Sequence, residues 1–259
     1  MDITVSSPGS PGTSFTDNVK DKILIIFEVL ASNDDFESVR ALGAELEKHG
    51  LNWNYARNIL PFMQNCGMVE YKDVDVIDNK RFFTNIGHTY IDILKAIKTA
   101  KAEPESQERN EIIHLLNRIQ EVIYFQCMVL MMKNENCNYS YDFYDVLRFI
   151  KMYGSIDSTE YLLIQHERKK DPDSFLENMA DTVSQYRSGE LSINIKTKTK
   201  NDERGAAKSV NSFPYVNGNF MKAGVLRKGE DGRYFFCDDR LEEIETAIKE
   251  VEQCQSSAR

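Results

Sequence analysis

The sequence predicts a mainly helical α+β chain: two similar units joined by a long central helix. Three observations carry this reading. Apolar residues recur at helical spacing in most segments. Two short apolar strand pairs each follow a segment that closes on glycine, and the order of elements around the first pair recurs loosely around the second. The chain has 259 residues, enough for one large domain or two of about 100 to 150 residues.

Residues 1–14 read as a disordered leader, because Met1 to Thr13 is polar and rich in Ser, Pro and Gly. The first unit covers residues 15–100. Its first helix carries the stripe Val19, Ile23, Ile26, Phe27 and Leu30, with Asp17 as the expected N-cap. A second stripe, Val39, Leu42 and Leu46, marks a helix ended by Gly50. A third helix runs from about Trp53 to Cys66 with Ala56, Ile59, Leu60 and Met63 inward, and Gly67 closes it. Met68 to Lys72 reads as a strand, and Arg81-Phe82-Phe83 returns as its partner after a stretch rich in Asp and Asn. Thr84 caps a fourth helix whose expected inward residues are Tyr90, Ile93, Leu94 and Ile97.

Residues 101–140 are expected to be a charged linker, Lys101 to Arg109, and a connector helix, Asn110 to Lys133, apolar on nearly all sides in its second half. The second unit, 141–255, opens with a helix over Tyr141 to Tyr153, stopped by Gly154. Asp157 or Ser158 caps the next helix, an insertion follows over 165–200, and a further helix is expected between Gly205 and Lys222. Gly224 to Lys228 and Arg233 to Phe236 form the second strand pair, and Leu241, Ile244, Ile248 and Val251 line a closing helix. Cys66-Gly67-Met68-Val69 aligns with Ala223-Gly224-Val225-Leu226, and Arg81-Phe82-Phe83 with Tyr234-Phe235-Phe236.

Phe83-Thr84-Asn85-Ile86-Gly87 resembles the (L/I/F)-T-x-x-G ending of winged-helix DNA-binding domains. There a wing strand runs into a helix-capping Thr, and Gly allows close packing at the turn. The resemblance implies two winged-helix units. Gly154-Ser155-Ile156-Asp157-Ser158-Thr159-Glu160-Tyr161, and the longer Phe83 to Tyr90 segment, are similar to stretches in the recognition region of type IIS restriction endonucleases. That likeness implies a DNA-recognition component of a restriction or defence nuclease. The cleavage domain of that family has no counterpart here.

Charge is segregated along the chain. Between Glu190 and Lys228 eight basic residues face three acids, a net of +5, which leaves −14 for the remainder of a chain whose total is −9. One basic segment in an acidic body points to a local polyanion contact rather than a basic coat. Ile193 to Lys200 alternates neutral residues with Asn194, Lys196, Lys198 and Lys200 at strand period, and Arg204 and Lys208 continue the charge. Such a ladder can meet successive phosphates, or it can guard an edge strand against aggregation.

In winged helices the third helix enters the major groove. Its outward residues here are Asn54, Tyr55, Arg57 and Asn58, which can hydrogen-bond bases or phosphates; a plain solvated face has the same composition. Pro61 removes one backbone bond from this helix, and the acidic wing tip, Asp73 to Asn79, repels phosphate. A second reading helix over Lys208 to Lys222 offers Asn211 and Asn217, and Arg227 and Lys228 follow on the second hairpin.

No Walker loop, GxSxG, HExxH or Rossmann pattern is present, and the four histidines lack metal-ligand spacing. Pro172-Asp173 is not followed by an acid-x-Lys pair, so no nuclease centre and no other catalytic site, metal or cofactor is expected. Five scattered cysteines without a CxxC pair indicate a reducing compartment. With no signal-peptide pattern, and no apolar run longer than the 11 residues of Val122 to Met132, the expectation is cytoplasmic and not membrane-bound. The expected partner is double-stranded DNA, with a separate nuclease subunit or a homodimer partner. A stand-alone transcriptional regulator and a protein-interaction adaptor are the rival functions.

Overall fold

Helix ends in this chain are set by short polar caps and by glycines in the left-handed region. The computed structural model describes residues 1–5, 13–72, 76–197, 199–201, 207–209 and 212–257. In chain order the elements are β1 (Asp2–Val5), α1 (Asp17–Ser32), α2 (Val39–Lys48), α3 (Trp53–Asn65), α4 (Asn85–Ala102), α5 (Gln107–Lys133) and α6 (Ser140–Tyr153). There follow α7 (Ser158–Glu167), α8 (Phe175–Asn178), α9 (Ala180–Ser188), β2 (Asn194–Thr197), β3 (Thr199–Asn201), β4 (Ala207–Ser209) and α10 (Phe213–Lys222). The chain ends with β5 (Leu226–Lys228), β6 (Tyr234–Phe236), a short 3-10 turn (Asp238–Arg240) and α11 (Leu241–Ser257). The fold is mainly helical, with its strands paired two by two. Among the described residues no helix is long and apolar enough to cross a membrane.

Two compact units form. An N-terminal unit holds Pro11–Cys137 and Asn219–Val225; a C-terminal unit holds Met1–Ser10, Asn138–Gly218 and Leu226–Arg259. The central helix is therefore part of one unit rather than a separate connector.

In the N-terminal unit Thr16, not Asp17, caps α1, its Oγ1 accepting from Val19 N at 3.4 Å. Ser38 caps α2 and Asn52 caps α3. Val69 bridges Phe83 antiparallel, flanked by Glu70 N to Phe82 O at 2.9 Å and Thr84 N to Met68 O at 3.0 Å. The strand expected over Met68 to Lys72 is reduced to this short ladder. A second bridge, Phe36 to Ile77, ties the α1–α2 connection to the far end of the hairpin. Thr84 Oγ1 accepts from Gly87 N at 3.2 Å and donates to Gly67 O at 2.7 Å, so one hydroxyl joins the end of α3 to the start of α4. A Cβ on Gly87 would lie 2.1 Å from Met68 O, and only glycine fits there.

On α4 the inward residues are Tyr90, Ile91, Leu94 and Ile97. Ile93, expected inside, is half-buried, because the face turned to α5 is centred one residue earlier. The expected linker 101–109 shrinks to a turn, since Ser106 caps α5 by accepting from Arg109 N at 3.1 Å. Phe15 is fully buried and stacks on Tyr124 at 4.3 Å between ring centres.

The C-terminal unit corrects the expected disordered leader at its start; residues 6–12 of that segment lie outside the described residues. Asp2–Val5 is a strand, parallel to β2 with Ile3 opposite Ile195. Ile3 and Val5 are buried, the stabilisation a short parallel pair needs. The segment Gly154 to Tyr161 has a local structural cause for each of its marked residues. Gly154 ends α6 at φ 81°, Ile156 bridges Tyr234, and Asp157 and Glu160 form a capping box. Glu160 is fully buried and held by Arg187 Nε at 2.7 Å and by Arg233, which also reaches Asp157 at 2.9 Å. A second buried group joins Arg168 to Asp142 and Asp145, both at 2.8 Å. Burial pushes Asp145 up to about 6, against the pull of Arg168.

The helix expected between Gly205 and Lys222 is instead β4 followed by α10. Pro214 explains the late start, because proline is tolerated only in a helix's first turn.

The aligned copies share backbone geometry. After α3, Gly67 N bonds Gln64 O and Met68 N bonds Met63 O; after α10, Gly224 N bonds Met221 O and Val225 N bonds Phe220 O. Gly67 and Gly224 have φ of 69° and 66°. Val69 pairs with Phe83 as Leu226 pairs with Phe236. Each copy also has an antiparallel bridge into its hairpin from a residue one or two places before its second helix's cap, Ile156 before Asp157 and Phe36 before Ser38.

Candidate nucleic-acid interface

The outward face of α3 is built by the packing of its other side. Ala56, Ile59, Leu60 and Met63 are buried, so residues between them on the helical wheel must face out. Trp53 lies against α2 where Gly43 has no side chain; a Cβ there would be 2.6 Å from the indole. Asn54, Tyr55, Arg57 and Asn58 are all exposed, Tyr55 by 56%. Lys22 of α1 sits over the Tyr55 ring at 3.8 Å and adds a cation beside the face.

Arg57 has no ion-pair partner among the described residues. It lines an open cleft of about 410 Å³ with Val39, Arg40, Trp53, Leu60, Pro61 and Tyr71. Arg40 is exposed and also unpaired among the described residues. Sequence reasoning missed Arg40 and Lys22, which reach this face from other helices and have no local signal. Pro61 stays inside the helix on its exposed side.

The hairpin beside this helix is also anchored near its far end, close to Ile77. Asn79 Nδ2 donates to the carbonyls of Leu30, Asn33 and Asp34 at 2.8–3.0 Å, and its N–H donates to Asp35 at 2.9 Å. Arg81 lies 3.5 Å from Asp78, so the charge of this cation is matched by an acid.

In the C-terminal unit the basic segment is broken up. The single ladder expected over Ile193 to Lys200 is divided between β2 and β3, which pair with different strands. Lys196 is exposed on β2. Lys198, Arg204 and Asn211 lie outside the described residues. The register places Lys200 opposite Lys208 on β3 and β4, so Lys208 belongs to a strand and not to the reading helix.

Asn217 is 6% exposed and does not face outward as expected. It falls in line with Phe213, Val216 and Phe220, the buried stripe of α10. Arg227 and Lys228 are exposed on β5, resting on Phe235 and Tyr234 at 5.3 and 5.9 Å. Arg227 has Asp238 at 3.7 Å, an exposed pair of little strength. Four expected contacts thus converge on one face, α3, and the others among the described residues do not form a second such helix face. Among the described residues no cluster of three His, Cys, Asp or Glu could hold a metal ion.

No family model, no curated protein and no solved structure matches this chain.

Proposed function

We propose that the chain binds double-stranded DNA sequence-specifically, its two hairpin-bearing helical sets acting as winged-helix units. The observation that carries this reading is the outward face of α3, where Asn54, Tyr55, Arg57 and Asn58 stand exposed on a helix braced by a hairpin. Asn offers a donor and an acceptor together to adenine, and Arg a pair of donors to guanine, at base edges in the major groove. Tyr55, Lys22 and Arg40 would serve the flanking phosphates.

Following the resemblance to type IIS recognition regions, the role is a recognition component of a restriction or defence nuclease, with cleavage carried out by a separate subunit. A second reading, a dimeric transcriptional regulator, is favoured by the apolar side chains that α5 exposes. Incubating the full chain with random duplex DNA and selecting the bound fraction tests both readings. A short enriched consensus, bound more weakly as salt rises, is the expected result. Absence of duplex binding at low salt would leave the adaptor role in place of DNA recognition.

A further inference from the structure

Among the described residues thirteen large apolar side chains are exposed, and five of them are on α5: Ile112, Leu115, Ile119, Val122 and Leu130. The first four are exposed between 39% (Ile119) and 61% (Leu115) and are spaced 3, 4 and 3 residues apart. At 3.6 residues per turn this spacing forms one seam, the pattern of a helix that packs against another helix. Between Ile112 and Val122 the other residues of α5 are polar, half-buried or buried, and Leu130 lies about two turns beyond Val122, so these four form a defined stripe.

We infer that a second copy of this chain covers the seam, α5 against α5, antiparallel about a two-fold axis. The spacing reads the same in both directions, so two antiparallel copies place Ile112 opposite Val122 of the second copy and Leu115 opposite Ile119. A two-fold interface requires this self-complementarity. The polar positions support the same register. One turn before Ile112 the seam carries Glu108, and one turn after Val122 it carries Gln126, both exposed. In this arrangement the two fall opposite each other, where the Gln126 amide donates to the Glu108 carboxylate. A parallel pair would instead oppose Glu108 to Glu108. Arg118, the cation beside the centre of the seam, is matched by Glu121 of its own helix at 3.2 Å. The helix dipoles also oppose favourably only in the antiparallel sense.

Sedimentation equilibrium of the full chain over a range of concentrations provides the test, and the inference holds whether or not the chain binds DNA. A concentration-dependent dimer is expected. The exposed double substitution Leu115→Glu/Ile119→Glu should weaken it by about 100-fold or more, because it buries unpaired charge at the two-fold, with the thermal melt otherwise unchanged. Gln126→Lys reads the direction of the helices. It should tighten the antiparallel dimer a few-fold by facing Glu108, and Gln126→Glu should loosen it. A chain that stays monomeric, a dimer indifferent to the double substitution, or a dimer loosened by Gln126→Lys would each overturn the inference.

Discussion

Helices α3 and α10 end in the same glycine-centred turn and feed the same kind of hairpin, yet they use their polar residues in opposite ways. On α3 the asparagines and arginine lie between the buried positions and face solvent. On α10 the polar groups lie among the buried positions. Asn219 is fully buried, accepting from the Tyr124 hydroxyl and donating to Thr13 O at 3.2 Å, while Ser212, just before the helix, pairs with Tyr161 at 2.6 Å. A helix rich in short polar residues is therefore not a reading helix by composition alone. What separates the two is phase: where the polar residues fall relative to the apolar stripe.

The hairpin phenylalanines should give the largest contrast. Phe83 is 5% exposed, and its replacement by Ala should cost roughly 3–5 kcal/mol of stability. Phe236, at the aligned position, is only half-buried, and the same change should cost about half as much in a denaturant titration. Equal losses would show that the two hairpins are packed alike. Asn219→Ala comes next, at about 2–4 kcal/mol, because it leaves the Tyr124 hydroxyl and a buried carbonyl without their partner. A melt that barely moves would place Asn219 among surface residues, as on α3.

A pH titration extends the contrast to the buried acids of the C-terminal unit. The folded-state value of Asp145, about 6, lies above its unfolded value, so the proton it holds stabilises the fold below about pH 4. That contribution is lost as pH rises to about 6. Asp145→Asn should flatten this decline by roughly 2 kcal/mol across the window. An unchanged slope would assign the pH dependence to other groups.

Much of this architecture is legible locally. The ends of α2, α3 and α6 follow from Gly50, Gly67 and Gly154, and the caps of α4 and α7 from Thr84 and Asp157. What the sequence hides is non-local. Strand β1 depends on pairing with β2 nearly two hundred residues away, although the alternation of Ile3 and Val5 with Asp2 and Thr4 is a faint period of two. The division of the lysine ladder between β2 and β3 likewise depends on which strands they pair with. Asn217 was legible in principle: its place in line with Phe213 and Phe220 puts it on the buried side. The α3 face is the part of the site that phase alone identifies, whereas Arg40 and Lys22 arrive through packing.

The smallest effect on stability should come from Arg57→Ala/Asn58→Ala, within about 0.5 kcal/mol, since both side chains are exposed. On DNA the same variant decides the central claim. Affinity for the selected consensus and for a scrambled duplex should be measured across a salt series for three proteins: wild type, Arg57→Ala/Asn58→Ala, and a variant with Lys196, Lys198, Lys200 and Lys208 all changed to Ala. If α3 reads bases, the first variant loses preference for the consensus and keeps most of the salt slope. The lysine variant keeps its preference, while its slope falls by roughly 0.9 for each phosphate contact removed. A consensus preference untouched by loss of Arg57 and Asn58 would contradict the assignment of α3 as the reading helix.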